Sequence, residues 1–162
     1  APDFNARVKT LFSIAAAKNY GNSGLEGLTY YKDGMVFAGT QSNSQLFLCD
    51  LATGEVLWDK KLYDTNRVNE IAGLFYDSVS GWLWIITSEP TRDGKVFVYD
   101  IDLTTDDNGK YDVGMNYLGA YSVKEGANTE SVCIDHVNSC MWVGDDYGST
   151  SYLYRYDLEG LD

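Results

Sequence analysis

The chain has 162 residues, 44% of them hydrophobic and 14% aromatic, enough for one domain with a core of its own. Its 24 acidic against 12 basic side chains leave a net charge of −12 with no basic run, which excludes a nucleic-acid backbone as the natural partner and favours metal cations or neutral and cationic ligands. No apolar run approaches the roughly 18 residues of a membrane-spanning helix, so membrane insertion is not expected.

Taken in order, residues 1–7 carry no periodicity, and Val8 to Ile14 (VKTLFSI) reads as a strand with no hairpin partner beside it. Asn19 to Gly24 is loop by its Asn, Gly and Ser content. LTYY and MVFAGT then form two strands around Asp33 and Gly34, a strong hairpin-turn pair. QLFLCDL follows after a polar loop, and Ala52, Thr53 and Gly54 turn the chain into a fourth strand, EVLWDKKL.

A second set begins with GLFYD and WLWIIT, passes a longer loop through Glu89, Pro90 and Gly94, and continues as KVFVYDI. The stretch TTDDNGKYDVG reads as an inserted connection before the fourth strand, MNYLGAYSV. Its Asp106, Asp107, Asn108 and Gly109 lack the alternating ligands and closing Glu of a calcium loop, so a solvated surface hairpin is expected there. A third set, ESVCID, MWVGDDYG and TSYLYRYDL, stops after three strands.

These sets are repeats. Glu26, Ala72 and Glu130 are equivalent, as are Leu28, Leu74 and Val132, then Phe37, Trp84 and Trp142, and then Asp50, Asp100 and Asp157. Repeats of four short antiparallel strands at such spacing indicate a β-propeller. The expected fold is all-β: a single unit over residues 1–162 with three four-stranded blades, at 26–62, 72–123 and 130–158, forming half of a six-bladed ring. Strand 8–14 is expected to complete the last blade of another copy.

Propellers close on themselves with typically four to eight blades, so three blades call for more. A homo-oligomer is expected, either a dimer forming a six-bladed ring or a filament growing by strand exchange. The alternative is a piece of a longer six-bladed protein.

Phe37, Trp84 and Trp142 read as packing residues between blades. Asp50, Asp100 and Asp157 read as caps at the end of the third strand, where an Asx side chain stabilises the reversal. Three cysteines and one histidine make a zinc site improbable. Cys133 and Cys140 flank one hairpin turn, and with Asp135 opposite Cys140 they sit diagonally, a poor disulfide geometry. No GxSxG elbow is present, and no Ser or Cys has a base nearby in sequence.

The segments NSGLEGLTY, NTESVCID and MWVGDDYGSTSYLYRYDLEG resemble the phytase-like, esterase-like propellers and the related SdiA-regulated group. The resemblance implies six blades with ligands or metal on the face built from the loops that enter each blade's first strand and follow its second. Carried onto this chain, that face holds Asn22, Glu26, Asn69, Glu70, Asn128 and Glu130 from the first loops, and Glu89, Asp145 and Asp146 from the second. Hard oxygen ligands from several loops suit Ca²⁺, with Glu26 and Glu130 the foremost metal candidates. Ala72 interrupts that acidic series, and His136 falls in a turn on the opposite side, which disfavours a His-dependent hydrolase.

Two functions follow as expectations. The first is an acidic, extracellular or periplasmic binding and assembly module that self-associates by blade completion and holds Ca²⁺ and a partner or glycan on its loop face. The second is a calcium-dependent phosphoester or ester hydrolase.

Overall fold

The computed structural model describes residue 14 and residues 23–62, 67–88, 94–123, 128–147 and 149–159. Strands β1 (Leu25–Tyr30), β2 (Met35–Thr40), β3 (Gln45–Asp50) and β4 (Val56–Lys61) form a first antiparallel sheet in that order. Asp33 and Gly34 both take positive φ, 50° and 77°, the paired left-handed geometry that a tight hairpin demands. Beyond β3, the Asp50 carboxylate accepts the amides of Ala52 and Thr53, so it caps its turn as the sequence implies.

The second sheet is β5 (Gly73–Asp77), β6 (Trp82–Ile86), β7 (Lys95–Thr105) and β8 (Tyr111–Ser122), again in chain order. Here the sequence reading needs two corrections. The inserted stretch is the hairpin expected, but the strands run into it and leave only residues 106–110 as turn, because Ile101 and Leu103 pair with Met115 and Val113 across β7 and β8 and pack into the core. Asp100 therefore lies within β7, opposite Asn116, and caps no turn. The hairpin tip is held instead by Asp106, whose carboxylate accepts the amides of Asn108 and Lys110, as befits a surface turn.

The third sheet is β9 (Thr129–Asp135), β10 (Cys140–Tyr147) and β11 (Thr150–Asp157), ordered β11-β10-β9. The described residues give it three strands, matching the third repeat, which stops after three. The completing strand assigned to Val8–Ile14 lies outside the described residues except for Ile14. That side chain is buried against Val36, Ala38, Phe47 and Cys49, on the outward face of the first sheet. Cys140 faces Asp135 and Cys133 faces Trp142, so the two thiols are diagonal and both are free. Asp157 ends β11 and pairs with Arg155 at 2.9 Å.

The sheets stack face to face through two apolar seams. Phe37, Leu46, Leu48, Ile71, Leu74, Leu83 and Ile85 fill the first. Trp84, Ile86, Val96, Val132, Met141 and Val143 fill the second. The first strands β1, β5 and β9 lie side by side along the stack. Their approach depends on missing Cβ atoms: one added at Gly73 would stand 2.7 Å from the Glu130 carbonyl oxygen, and one at Gly27 would stand 2.7 Å from Leu74 Cγ.

The two ends of the stack differ from its interior at equivalent positions. Leu74 and Val132 point to the preceding sheet and are each 8% exposed, whereas Leu28 has no sheet before it and is 69% exposed. At the other end Phe37 and Trp84 point to the following sheet and are fully buried, whereas Trp142 is only half-buried. Leaving one such side chain in water forgoes about 1.5–3 kcal/mol of burial.

Candidate functional site

The structure gathers four of the expected residues where the chain enters β9 and leaves β10. The Asn128 backbone amide donates to Asp145 Oδ1 at 2.9 Å, and its side-chain amide donates to Glu130 Oε1 at 2.7 Å. The Tyr154 hydroxyl donates to the other Asp145 oxygen at 3.3 Å. Asp145, 5% exposed, therefore acts as an anchor that fixes the β9 entry to β10 and β11. Asp146 is exposed and accepts the Ser151 hydroxyl.

Glu130 is half-buried within this group. Burial raises its carboxyl above the ordinary glutamate value, and the charges of Glu26, Asp146 and Glu70 push in the same direction against the Asn128 hydrogen bond. Glu26 is exposed on β1 at a register shift between Leu25 and Gly27, and Glu70 accepts the Ser88 hydroxyl at 3.0 Å. Asn69 is exposed beside it. Asn22 and Glu89 lie outside the described residues. Among those described, no three His, Cys, Asp or Glu side chains converge as a metal would require. The arrangement raises the Glu130 carboxyl above its ordinary value, and its charge favours cations over anions.

Two contacts between sheets escape any reading of the repeat. The Thr129 hydroxyl donates to the Thr87 carbonyl at 2.7 Å, and it is fully buried in the second seam. At the far end of that seam His136 Nε2 lies 2.8 Å from Asp77 Oδ2. His136 is thus on the side away from the acidic group, where the sequence placed it. Asp77 also accepts the Val79 amide and the Ser80 hydroxyl.

Face-to-face four-stranded sheets whose first strands line up along one edge are a propeller's arrangement. The β-propeller domain of Cps50 (Swd1) from Myceliophteria thermophila superimposes on 91% of this chain with a TM-score of 0.55 and 10% identity. The fold is a partial β-propeller. No protein-family model matches the sequence, and no curated protein matches it significantly. The chain spans 44% of the length of the Cps50 domain, so its sheets correspond to some of that propeller's blades.

Proposed function

We propose that this chain is a binding and assembly module whose end blades are covered by further blades, supplied by a second copy to make a six-bladed ring. The observation that carries the reading is the contrast at equivalent positions: Leu28 is 69% exposed where Leu74 and Val132 are 8% exposed, and Trp142 is half-buried where Phe37 and Trp84 are fully buried. Both ends thus offer the side chains that interior blades use against one another. The buried Ile14 on the first blade supports it too, since that side chain occupies ground a preceding blade would cover. Light scattering of the purified chain tests the proposal. The expected mass is twice the 18.1 kDa of one chain. A stable particle of single-chain mass would overturn self-association, and a mass climbing past two chains without a plateau as concentration rises would replace the ring by a filament.

A second reading, the calcium-dependent phosphoester or ester hydrolase of the phytase-like, esterase-like type, is favoured by Glu130 alone. Its carboxyl is raised by burial and by Glu26, Asp146 and Glu70, and a Ca²⁺ ion there would offset that repulsion. Calcium-dependent turnover of a phosphoester, lost on Glu130→Gln or Glu26→Gln, is the result that would favour it. A chain with neither turnover nor a calcium shift in Tm leaves the assembly reading in place.

A further inference from the structure

In the first seam the outermost strands meet, β4 lying against β8. In the second seam β8 has no such counterpart among the described residues, because β11 is the last strand of the third blade there. A cavity of about 270 Å³ opens at this place, bounded by Trp82, Trp84, Val98, Leu118, Gly119 and Tyr121. Trp84 is fully buried and stacks on Tyr121 at 5.9 Å, while Leu118 and Tyr121 are 45% and 40% exposed. A Cβ placed on Gly119 would meet nothing within 4 Å, and the Trp84 indole N–H finds no acceptor among the described residues. The cavity is lined largely by aromatic and aliphatic side chains and opens beside a sheet edge.

We infer that this cavity is the socket for the strand that completes the third blade, that the strand is residues 8–14 of a second copy, and that Leu11 is the side chain it takes in. The inference rests on the assembly reading above. Side chains alternate along a strand, and Ile14 points at its own first blade, onto Val36 and Phe47. By that alternation, a strand over residues 8–14 would set Phe12 on the Ile14 side and Ser13, Leu11 and Lys9 on the other, toward the second blade of the neighbouring copy. Leu11 is the apolar member of that set. Within one copy the segment cannot serve its own third blade, since Ile14 lies on the outward face of the first blade, with the first seam and the second blade between it and the cavity. The incoming strand adds its backbone to the open edge of β11.

The test mixes two variants of the full chain, Leu11→Cys and Leu118→Cys, each with the exposed Cys133 changed to Ser, and treats them with a short bismaleimide. A product of twice the chain mass that forms in the mixture, and in neither variant alone, is expected. In parallel, Leu11→Asp weakens self-association about ten- to a hundredfold by light scattering, while Lys9→Ser leaves it unchanged. A parent chain that stays single overturns the assembly reading and this inference together. A parent chain that self-associates, gives no product in the mixture and keeps its affinity with Leu11→Asp overturns the socket alone. Should Leu11→Asp fail to fold, the cross-link decides.

Discussion

Asp77 ties the lower end of the second seam, and its protonation sets how that seam responds to acid. Burial by itself would raise the carboxyl, but hydrogen bonds from Ser80, the Val79 amide and His136 outweigh it and hold the group below the ordinary 3.8. Its stabilising contribution is therefore full above that value and is lost as pH falls through the folded value. Asp77→Asn is expected to cost about 1–3 kcal/mol at pH 7 by urea unfolding and to flatten the acid limb of the stability profile. An unchanged midpoint would remove Asp77 from the seam's energetics. Glu130 has the opposite sign. Its folded carboxyl is raised above 4.5, so the folded chain holds the proton more tightly and loses stability as pH rises through that window. Glu130→Gln keeps an acceptor for Asn128, removes the repulsion, and is expected to raise Tm at pH 7 by about 1–2 °C. Single residues with local jobs were legible from sequence: the Asp33 and Gly34 turn and the Asp50 cap need only their neighbours. The pairs Asp77 with His136 and Glu70 with Ser88 were not, since their partners come together only once the sheets or loops pack.

At the scale of the strands, register and close approach do the work. The first strand of the second blade touches the third through Gly73, whose missing side chain leaves room for the Glu130 carbonyl. Because the obstacle is backbone that cannot swing aside, Gly73→Ala is expected to destabilise by about 2 kcal/mol. Gly114→Ala is the comparison, since its Cβ would meet Asp102 at an ordinary 3.5 Å and should stay within about 0.5 kcal/mol. Thermal or urea melts of the two variants check both, and equal losses would remove the argument from close approach. Alternation of apolar residues read the short strands well, from MVFAGT to TSYLYRYDL. It also runs through β7 and β8, where Ile101, Leu103, Val113 and Met115 continue the period beyond Asp100 and mark the extension. The register shift between Val98 and Tyr99 left no comparable trace, because a bulge adds a residue without changing composition.

For the whole molecule, the repeat made the propeller visible because equivalent side chains bury against the same neighbours in each seam. The acidic face was only partly visible: Asn128, Glu130, Asp145 and Asp146 come together, while their main roles as anchors and hydrogen-bond partners emerge from packing rather than residue type. The assembly reading adds a prediction at this scale. Leu28→Asp is expected to leave the stability of a single chain within about 0.5 kcal/mol, since the residue is exposed, yet to weaken self-association at least about tenfold. Sedimentation over a concentration series distinguishes the two effects, and an unchanged association constant would place the contact elsewhere.

The long β7–β8 hairpin breaks the likeness among the blades, for its strands run to 11 and 12 residues where β3 and β4 have six each. Its far end lies beside β4 and leaves residues 104–110 exposed as a spur. In projection images of single particles, the number of spurs would report how many chains are present without weighing anything, and the angle between them would tell a closed two-fold ring from a spiral.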